Sequence, residues 1–206
     1  MTRPDTQNEA RPEGGGPPAP LVEAARAGDH HAFSELMGPL QGEIFRMVYY
    51  RTRSRMDAED ITQDVFFQAF KKLPGLHDAG RFRPWVFSIA LNRVRDFHRR
   101  RRFTGLFGRF AEGEETERNE AGSSAGNDPL EAAARKEFWN TIGSFLDRLS
   151  RGEREVFLLR FFDQLTLSEI ARVLKKSKST VKTHLYRALS KLRNEKQIFK
   201  ILEEQW

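Results

Sequence analysis

The chain has 206 residues, enough for one large domain or two small ones, and 38% of them are hydrophobic, so at least one core can form. Lys and Arg outnumber Asp and Glu by 35 to 29, an excess that indicates a polyanionic partner wherever the basic residues cluster. There is no cysteine, which excludes disulfides, thiol catalysis and thiolate metal sites.

The N-terminal residues 1–20 are polar and rich in Pro and Gly, and they are predicted to be a disordered extension. They lack the apolar segment of a secretion signal. No apolar run in the chain approaches the ~20 residues that a membrane span requires. We therefore expect a soluble cytoplasmic protein.

Hydrophobic residues recur at helical spacing from Leu21 onward, and no segment is typical of a strand. The first long helix is predicted over residues 29–53, with a kink or a break at Gly38-Pro39. A second helix follows in MDAEDITQDVFFQAFKKLPG, where Asp57 is the predicted N-cap. Its inward side leaves Phe67 outside, near Asp60, Gln63 and Asp64. An exposed aromatic among acids and amides indicates either a protein-binding surface or an irregularly packed Phe.

The stretch RFRPWVFSIALNRVRDFHRRRR, residues 81–102, has eight Arg and one acid, Asp96. A helix is predicted here from Pro84 to about Arg101. Its buried stripe is formed by Val86, Ala90, Val94 and Phe97. The opposite face carries Ser88, Asn92, Arg95 and Arg99, with Trp85 and Asp96 beside them.

Pairing with duplex phosphates would need only the arginines of that face. Trp85 and Asn92 suggest unstacked bases, whose flat faces an aromatic ring covers and whose edges an amide bonds. Stacking contributes ~1–3 kcal/mol per base, enough to offset local opening of a duplex. The alternative, that Trp85 packs under the preceding loop, stays open at this point.

Residues 104–128 have a different composition, with six acids against two Arg and no apolar periodicity in their second half. They are predicted to form a flexible linker. Helical patterning resumes at Pro129. We therefore predict an all-α fold of two small helical domains, residues 21–103 and 129–206, joined by this acidic linker.

The second domain contains LTLSEIARVLKKSKSTVKTHLYRALSKLR, in which two short apolar helices flank a polar turn. Ser177 is the predicted cap of the second of these helices. Between Lys175 and Lys196 there are eight basic residues and one acid. Four side chains point away from the apolar stripe: Lys182, Thr183, Tyr186 and Arg187. This pattern predicts a DNA-binding helix-turn-helix whose second helix reads the major groove.

Both halves resemble one family. DAEDITQDVF is similar to the D-A-E-D-x-x-Q-E-V-F signature of bacterial extracytoplasmic-function (ECF) sigma factors. FRPWVFSIALNRVRDFHRRRR resembles their promoter-melting segment, and the helix-turn-helix resembles their C-terminal promoter-reading domain. The resemblance covers roughly residues 21–195. It implies a transcription initiation factor that binds core RNA polymerase, recognises the −35 and −10 promoter elements and opens the DNA.

The resemblance also implies roles for particular residues. Docking on the clamp helices of the polymerase β′ subunit falls to Asp60, Gln63, Asp64 and Phe67. Binding of the −10 element, including a flipped non-template base, falls to the loop 75–82 and to Trp85, Ser88, Asn92, Arg95, Asp96, Arg99 and Arg100. Reading of the −35 duplex falls to Ser179, Thr180, Lys182, Thr183, Tyr186 and Arg187.

Further partners follow from the same resemblance. The acidic linker is expected in the RNA-exit path and active-site cleft of the polymerase. The polymerase β subunit and an anti-sigma factor are further expected partners. Three positions depart from the family pattern. Asp64 replaces a Glu, Asp96 stands where a neutral residue is common, and Lys182 replaces an Arg able to read guanine with two hydrogen bonds.

The alternative function is a LuxR-type regulator, because TVKTH also resembles the DNA-binding domain of that class, which binds DNA without polymerase. An enzyme is not expected. The five histidines lack zinc-ligand spacing, and there is neither a Gly-rich phosphate loop nor a nucleophile motif. We therefore expect no metal, no cofactor and no membrane insertion.

Overall fold

The computed structural model of the chain describes residues 16–108 and 141–193, with side chains up to residue 102 in the first range. Within these ranges the regular structure is helical and contains no strand, as predicted. Most of residues 1–20 and of the predicted linker, together with residues 194–206, lie outside the described ranges. The predictions made for those segments therefore stay predictions.

The first domain consists of four helices and two single 3-10 turns. The helices are α1 (Ala19–Arg26), α2 (His30–Thr52), α3 (Arg55–Lys72) and α4 (Phe82–Gly108), and the 3-10 turns are Leu73–Gly75 and Ala79–Arg81. Leu36, Ile44 and Met47 of α2 pack against Val65 and Ala69 of α3 in one buried core. Helix α4 closes the bundle with an apolar side that includes Val86, Phe87 and Ala90.

Two local predictions for this domain have different outcomes. Helix α2 continues through Pro39 without a break, because Leu36, Met37 and Leu40 are buried on both sides of it and hold the turn against the core, and the other predicted outcome, a kink, stays a prediction. The prediction of Asp57 as the N-cap of α3 was wrong. The N-cap of α3 is Ser54 rather than Asp57. The Ser54 hydroxyl accepts a hydrogen bond from the Asp57 backbone N–H at 3.3 Å, so Asp57 lies inside the first turn.

Helix α4 is longer than predicted. It begins at Phe82, which places Pro84 in the first turn, and it ends at Gly108 rather than near Arg101. The first five residues of the predicted linker, 104–108, are therefore helical. Phe97 is half-buried instead of fully buried, while the other three members of the predicted stripe are buried.

Within residues 141–193, the described part of the second domain, there are four helices, and the first of them, α5, covers residues 141–148. The others are α6 (Arg151–Phe157), α7 (Leu167–Leu174) and α8 (Lys178–Leu192), and one π turn, Leu158–Phe162, follows α6. Capping boxes start α6 and α7, formed by Ser150 with Glu153 and by Thr166 with Glu169. Lys191 of α8 donates to the Glu153 carboxylate at 2.7 Å, which ties α8 to α6 and lowers the pKa of that carboxyl.

The two domains pack against each other, which the sequence did not indicate. Val156, Leu159 and Ile170 of the second domain belong to the same buried cluster as the core of the first. Helix α4 lies against α7 along this contact. The described parts of the two domains therefore share an apolar core instead of meeting only through the linker.

Buried ion pairs cross the same interface. Arg51 donates two hydrogen bonds to the Asp163 carboxylate, at 2.7 and 3.4 Å, and the two side chains are 5% and 1% exposed. Burial raises the pKa of Asp163, against the opposing pull of the Arg51 guanidinium. Arg83 joins Glu43 of its own domain at 2.9 Å to Glu169 of the other at 3.0 Å. Charged contacts thus fix the register in which the domains meet.

Gly152 provides a test of packing inside the second domain. A Cβ atom at this position would lie 2.7 Å from Cε1 of His184, and two further ring atoms would be within 3.1 Å. Replacing Gly by Ala within a helix ordinarily raises the free energy of unfolding by ~1 kcal/mol. We expect Gly152→Ala instead to lower the free energy of unfolding by ~1–3 kcal/mol, because the imidazole must be displaced.

Denaturant unfolding of the variant measures this effect. Gly143→Ala is the matched control, because nothing lies within 4 Å of its added methyl group. Adding His184→Ala to Gly152→Ala should restore most of the loss. An unchanged unfolding midpoint in Gly152→Ala would show that the ring is not held over Gly152.

Candidate nucleic-acid interface

The outer face of α3 carries the predicted protein-binding patch. Asp60 and Gln63 are exposed, and Phe67 is 55% exposed, as its position in the pattern predicted. The Lys71 ammonium lies 4.6 Å above the Phe67 ring and covers part of it. Asp64 is less available, because Arg93 of α4 pairs with its carboxylate at 3.0 Å. An apolar ring between hydrogen-bonding side chains on a rigid helix is suited to binding another protein.

Trp85, at the start of α4, combines the two alternatives left open by the sequence. Its ring is half-buried, packs against the core and lies 6.0 Å from the ring of Phe82. Ser88 is one turn further along and donates its hydroxyl proton to the Trp85 carbonyl at 2.7 Å. The indole is therefore supported from below by the domain while part of it stays accessible.

The remaining polar side chains of α4 face a cleft between the domains. Asn92 is exposed and, with Arg95, Asp96 and Arg99, lines this cleft of about 1340 Å³. Arg99 pairs with Asp96 at 3.1 Å within the helix. Arg95 lies 3.9 Å from the carboxylate of Glu155 in the second domain. Arg100, the next residue along, is exposed.

A hydrogen bond to α2 fixes the position of α4 at the cleft. His98 donates from Nε2 to the backbone carbonyl of Arg51 at 3.0 Å, which ties α4 to the last turn of α2. Burial lowers the pKa of His98, so the neutral ring that makes this bond is favoured. His98 lines the cleft together with Arg95 and Arg102, so this bond holds the cleft side of α4 in a defined orientation.

Helix α8 presents the predicted recognition face. Its cap is Ser177, as predicted, whose hydroxyl accepts from the Thr180 backbone N–H at 3.1 Å. The Ser179 and Thr180 hydroxyls lie 2.9 and 2.8 Å from the same oxygen. These bonds order the N-terminal turn of α8, the part that enters a groove in helix-turn-helix proteins.

The four side chains predicted to leave the apolar stripe of α8 are all exposed: Lys182, Thr183, Tyr186 and Arg187. Tyr186 is 69% exposed, which is unusual for an aromatic residue without a partner surface. Val181 and Ala188 face inward and are fully buried. His184 is also turned inward, over Gly152, and is therefore a packing residue rather than a neighbour of bound phosphate.

Sequence reasoning missed the residues that bring the two surfaces together. Arg51, Asp163 and Glu155 lie in segments with no recognisable motif, and each finds its partner in the other domain. No local pattern reveals a pair separated by 112 positions. An acid directly after a largely apolar stretch, as in LLRFFD, is the sequence signal that could have pointed to Asp163.

In the described ranges, no group of three or more His, Asp or Glu side chains is arranged to hold a metal ion. None of the helices described combines the length and apolar character needed to cross a membrane.

Comparison with protein families assigns both domains. Residues 36–104 match the family "Sigma-70 region 2", and residues 140–192 match "Sigma-70, region 4". These two matches define a sigma-70-type transcription initiation factor, a class of proteins that are not enzymes.

Curated relatives narrow the class. The chain is 32% identical over 173 residues to the ECF RNA polymerase sigma factor BldN of Streptomyces coelicolor, covering 84% of this chain and 63% of BldN. It is 28% identical to the ECF sigma factor SigW of Bacillus subtilis, with coverage of 84% and 94%. It is 31% identical to the sigma factor NccH of Alcaligenes xylosoxydans, with coverage of 84% and 90%. The chain belongs to the ECF family of RNA polymerase sigma factors.

Solved structures agree with this assignment. A structure of CnrH in complex with the cytosolic domain of CnrY has a TM-score of 0.63 and 27% identity, with coverage of 86% of this chain and 95% of CnrH. RpoE of Bartonella quintana, in complex with the anti-sigma factor NepR, has the same fold at 19% identity, with a TM-score of 0.58 and coverage of 81% and 97%. These findings do not support the LuxR-type alternative.

Proposed function

We propose that this sigma factor binds core RNA polymerase in the bacterial cytoplasm, directs it to promoters with −35 and −10 elements, and promotes opening of the DNA. The observation that carries the proposal is the presence of two separate basic, nucleic-acid-compatible surfaces, on α4 and α8, in a chain of the ECF family. The nucleotidyl transfer itself belongs to the polymerase.

Each domain has its own proposed role. Residues 21–103 form the unit that holds the polymerase and the −10 element, and residues 129–206 form the unit that reads the −35 element. Residues 1–20 are an extension, and residues 104–128 are the linker, of which 104–108 continue α4. The linker passes through the RNA-exit path and active-site cleft of the polymerase, where it contacts the β subunit.

The α3 patch is the proposed contact with the β′ clamp helices. Asp60 and Gln63 supply accessible polar groups, and the Phe67 ring supplies the apolar centre of the contact. Asp64 acts mainly by orienting Arg93, since the two are already paired. Its short carboxylate reaches that guanidinium without leaving the helix surface.

The proposed −10 site lies on α4 and its preceding loop, residues 75–82. A flipped non-template base stacks on the accessible part of Trp85, next to the ordered Ser88, and Asn92 bonds its edge. Arg95, Arg99 and Arg100 follow the backbone of the strand, while Asp96 moderates their charge through its pair with Arg99.

The proposed −35 site is the exposed face of α8. Ser179 and Thr180 lie at its capped N-terminus, where their hydroxyls and the positive end of the helix dipole bind a phosphate. Lys182, Thr183, Tyr186 and Arg187 meet base edges in the major groove. Two promoter elements about two helical turns apart are separated by ~70 Å, so the domains must move apart when both are bound.

An anti-sigma factor is the proposed regulator. CnrH and RpoE, the two structural neighbours, are each described in complex with a second protein, the cytosolic domain of CnrY and the anti-sigma factor NepR. The closed arrangement of this chain is one that such a partner would retain, because it keeps the α4 face against the second domain.

Run-off transcription with purified core enzyme on a promoter library tests the function. Transcripts that start at a shared −35/−10 pattern, and only when the chain is present, are the expected result. Specific promoter binding by the isolated chain, unaffected by core enzyme, would contradict it.

Arg187 tests the assignment of the recognition face. We expect Arg187→Ala to weaken discrimination between the preferred −35 sequence and a substituted one by ~1–3 kcal/mol, because a base-edge contact is lost. Competition transcription between two templates measures this ratio. Arg193→Ala, at the C-terminal end of α8, is the control and should weaken both templates equally. Unchanged discrimination in Arg187→Ala would mean that a different face of α8 enters the groove.

A further inference from the structure

Helix α3 carries a second exposed apolar side chain besides Phe67. Among the described residues, the large hydrophobic side chains that stay exposed are Met56, Phe67 and Tyr186. Tyr186 belongs to the recognition face of α8, whereas Met56 lies in the first turn of α3 and is 71% exposed. The proposed contacts with polymerase and DNA do not include Met56. An exposed Met is suited to binding another protein, because its flexible thioether chain adapts to an irregular apolar surface.

Met56 and Phe67 lie on the same face of the helix. The sequence separation of 11 residues corresponds to three turns with only ~20° of further rotation, and to ~16 Å along the axis. Asp60 and Gln63, the exposed polar residues of the α3 patch, lie between them on this face. Met56, Asp60, Gln63 and Phe67 therefore form one continuous line, the α3 stripe, with an apolar residue at each end and polar groups in the middle.

The first turn of α3, which presents Met56, is held in place. Ser54 caps this turn by accepting a hydrogen bond from the Asp57 backbone N–H at 3.3 Å. Ala58 is fully buried and lies on the opposite side of the helix from Met56, so packing against the core fixes the direction in which Met56 points. The backbone of the stripe is thus preorganised and loses little conformational freedom when a partner binds.

The polar groups between the two apolar ends indicate what kind of partner fits the stripe. Asp60 is an exposed carboxylate, and Gln63 is an exposed amide that both donates and accepts hydrogen bonds. Glu59, at the edge of the stripe, is paired with Arg55 at 2.8 Å. The stripe therefore fits a partner that has a basic group opposite Asp60 and two apolar sockets ~16 Å apart. A straight stripe of this kind is suited to a partner helix that lies along α3.

We propose that Met56 is a second apolar anchor of the contact with the β′ clamp helices, so that this contact runs along the whole α3 stripe. The inference rests on the proposed function of the α3 patch and extends that patch by one turn toward the N-terminus of α3. Met56 and Phe67 each fill an apolar socket, and together they exclude water from the polar contacts of Asp60 and Gln63 between them.

Titration of labelled full-length protein with purified core enzyme tests the anchor. We expect Met56→Ser to weaken binding by ~10-fold or more, because the burial of an apolar side chain in its socket is lost. Met56→Leu keeps an apolar side chain of similar volume and should bind like the unaltered chain. Lys72→Ser, at an exposed position on the other side of α3, is the control and should also leave binding unchanged. The unfolding midpoint of Met56→Ser should be unchanged, because the side chain is exposed.

Normal binding by Met56→Ser, or an equal loss in Met56→Ser and Met56→Leu, would overturn the anchor. The double variant Asp60→Ala with Gln63→Ala separates this result from a failure of the proposed function. If the double variant loses binding and Met56→Ser does not, the α3 patch still contacts the polymerase and only the anchor is wrong. Sedimentation of the free protein should show a monomer. A dimer that Met56→Ser dissociates would assign the stripe to contact between two copies and would also overturn the proposal.

Discussion

Replacing Asp60 and Gln63 by Ala together is expected to abolish association with core RNA polymerase. Both side chains are exposed on α3 and make no contact that holds the domain together, so the change removes interface groups without changing the fold. Truncating a charged group that is buried on binding costs 2–5 kcal/mol or more. At 1.4 kcal/mol per factor of ten, the pair corresponds to a loss of affinity of at least ~30-fold.

Titration of fluorescently labelled protein with purified core enzyme measures this loss. Circular dichroism and the unfolding midpoint should be unchanged, which separates an interface effect from unfolding. Glu35→Ala with Gln41→Ala is the matched control, since it likewise removes one carboxylate and one Gln from exposed positions, here on α2. Normal binding by the Asp60 and Gln63 variant would remove the α3 patch from the proposed interface.

Asp163→Ala is expected to separate the two domains. The change leaves the Arg51 guanidinium buried, with the Met47 carbonyl as its remaining acceptor among the bonds described for it. Leaving one member of a buried ion pair without its partner costs 3–5 kcal/mol. Opening of the interface relieves this cost, because it returns Arg51 to water while each domain keeps its own helices.

Small-angle scattering of the free protein measures the opening as an increase in the radius of gyration. The double variant Arg51→Met with Asp163→Leu is the control. It replaces the pair by apolar groups and should stay closed, since such replacements are often neutral or stabilising. A closed Asp163→Ala protein would show that the apolar contacts between α4 and α7 suffice without the pair.

Features set by short-range patterns were predictable from the sequence. Ser177 was identified as a cap because a small hydroxyl residue preceded an apolar-periodic run, and its bond to Thr180 is present. The outward position of Phe67 followed from helical periodicity alone. In both cases the deciding atoms lie within one helical turn, and a sequence window contains all of them.

Features decided by competition with the core were predicted less well. Asp57 and Ser54 are both good caps, and the helix starts at the earlier one because Ala58 must face the core. Pro39 was expected to kink or break α2, and the helix does not break there, because apolar packing on both sides outweighs the one hydrogen bond that Pro39 removes. Helix propensity describes only the local contribution to where a helix begins or breaks, and packing against the core can outweigh it.

The packing of the two domains against each other could not be predicted from the sequence. The Arg51–Asp163 and Arg83–Glu169 pairs each join residues more than 80 positions apart, and many other arginines and acids in the chain would have served equally well on paper. The functional consequence was missed with them. Asn92 and Arg95 were expected to face solvent or DNA, yet in the free chain they line a cleft whose other wall is the second domain.

The π turn at Leu158–Phe162 explains how one short segment contacts both its own domain and the first domain. Its wider winding accommodates one extra residue, so the Phe161 ring lies 4.7 Å from that of Phe157, while the next two side chains reach the other domain. The Phe162 ring lies 5.4 Å from that of Tyr50, and Asp163 binds Arg51. Deleting a single residue here would rewind the segment and point the acid elsewhere. The correct alignment of the two domains therefore depends on a single inserted residue in this turn.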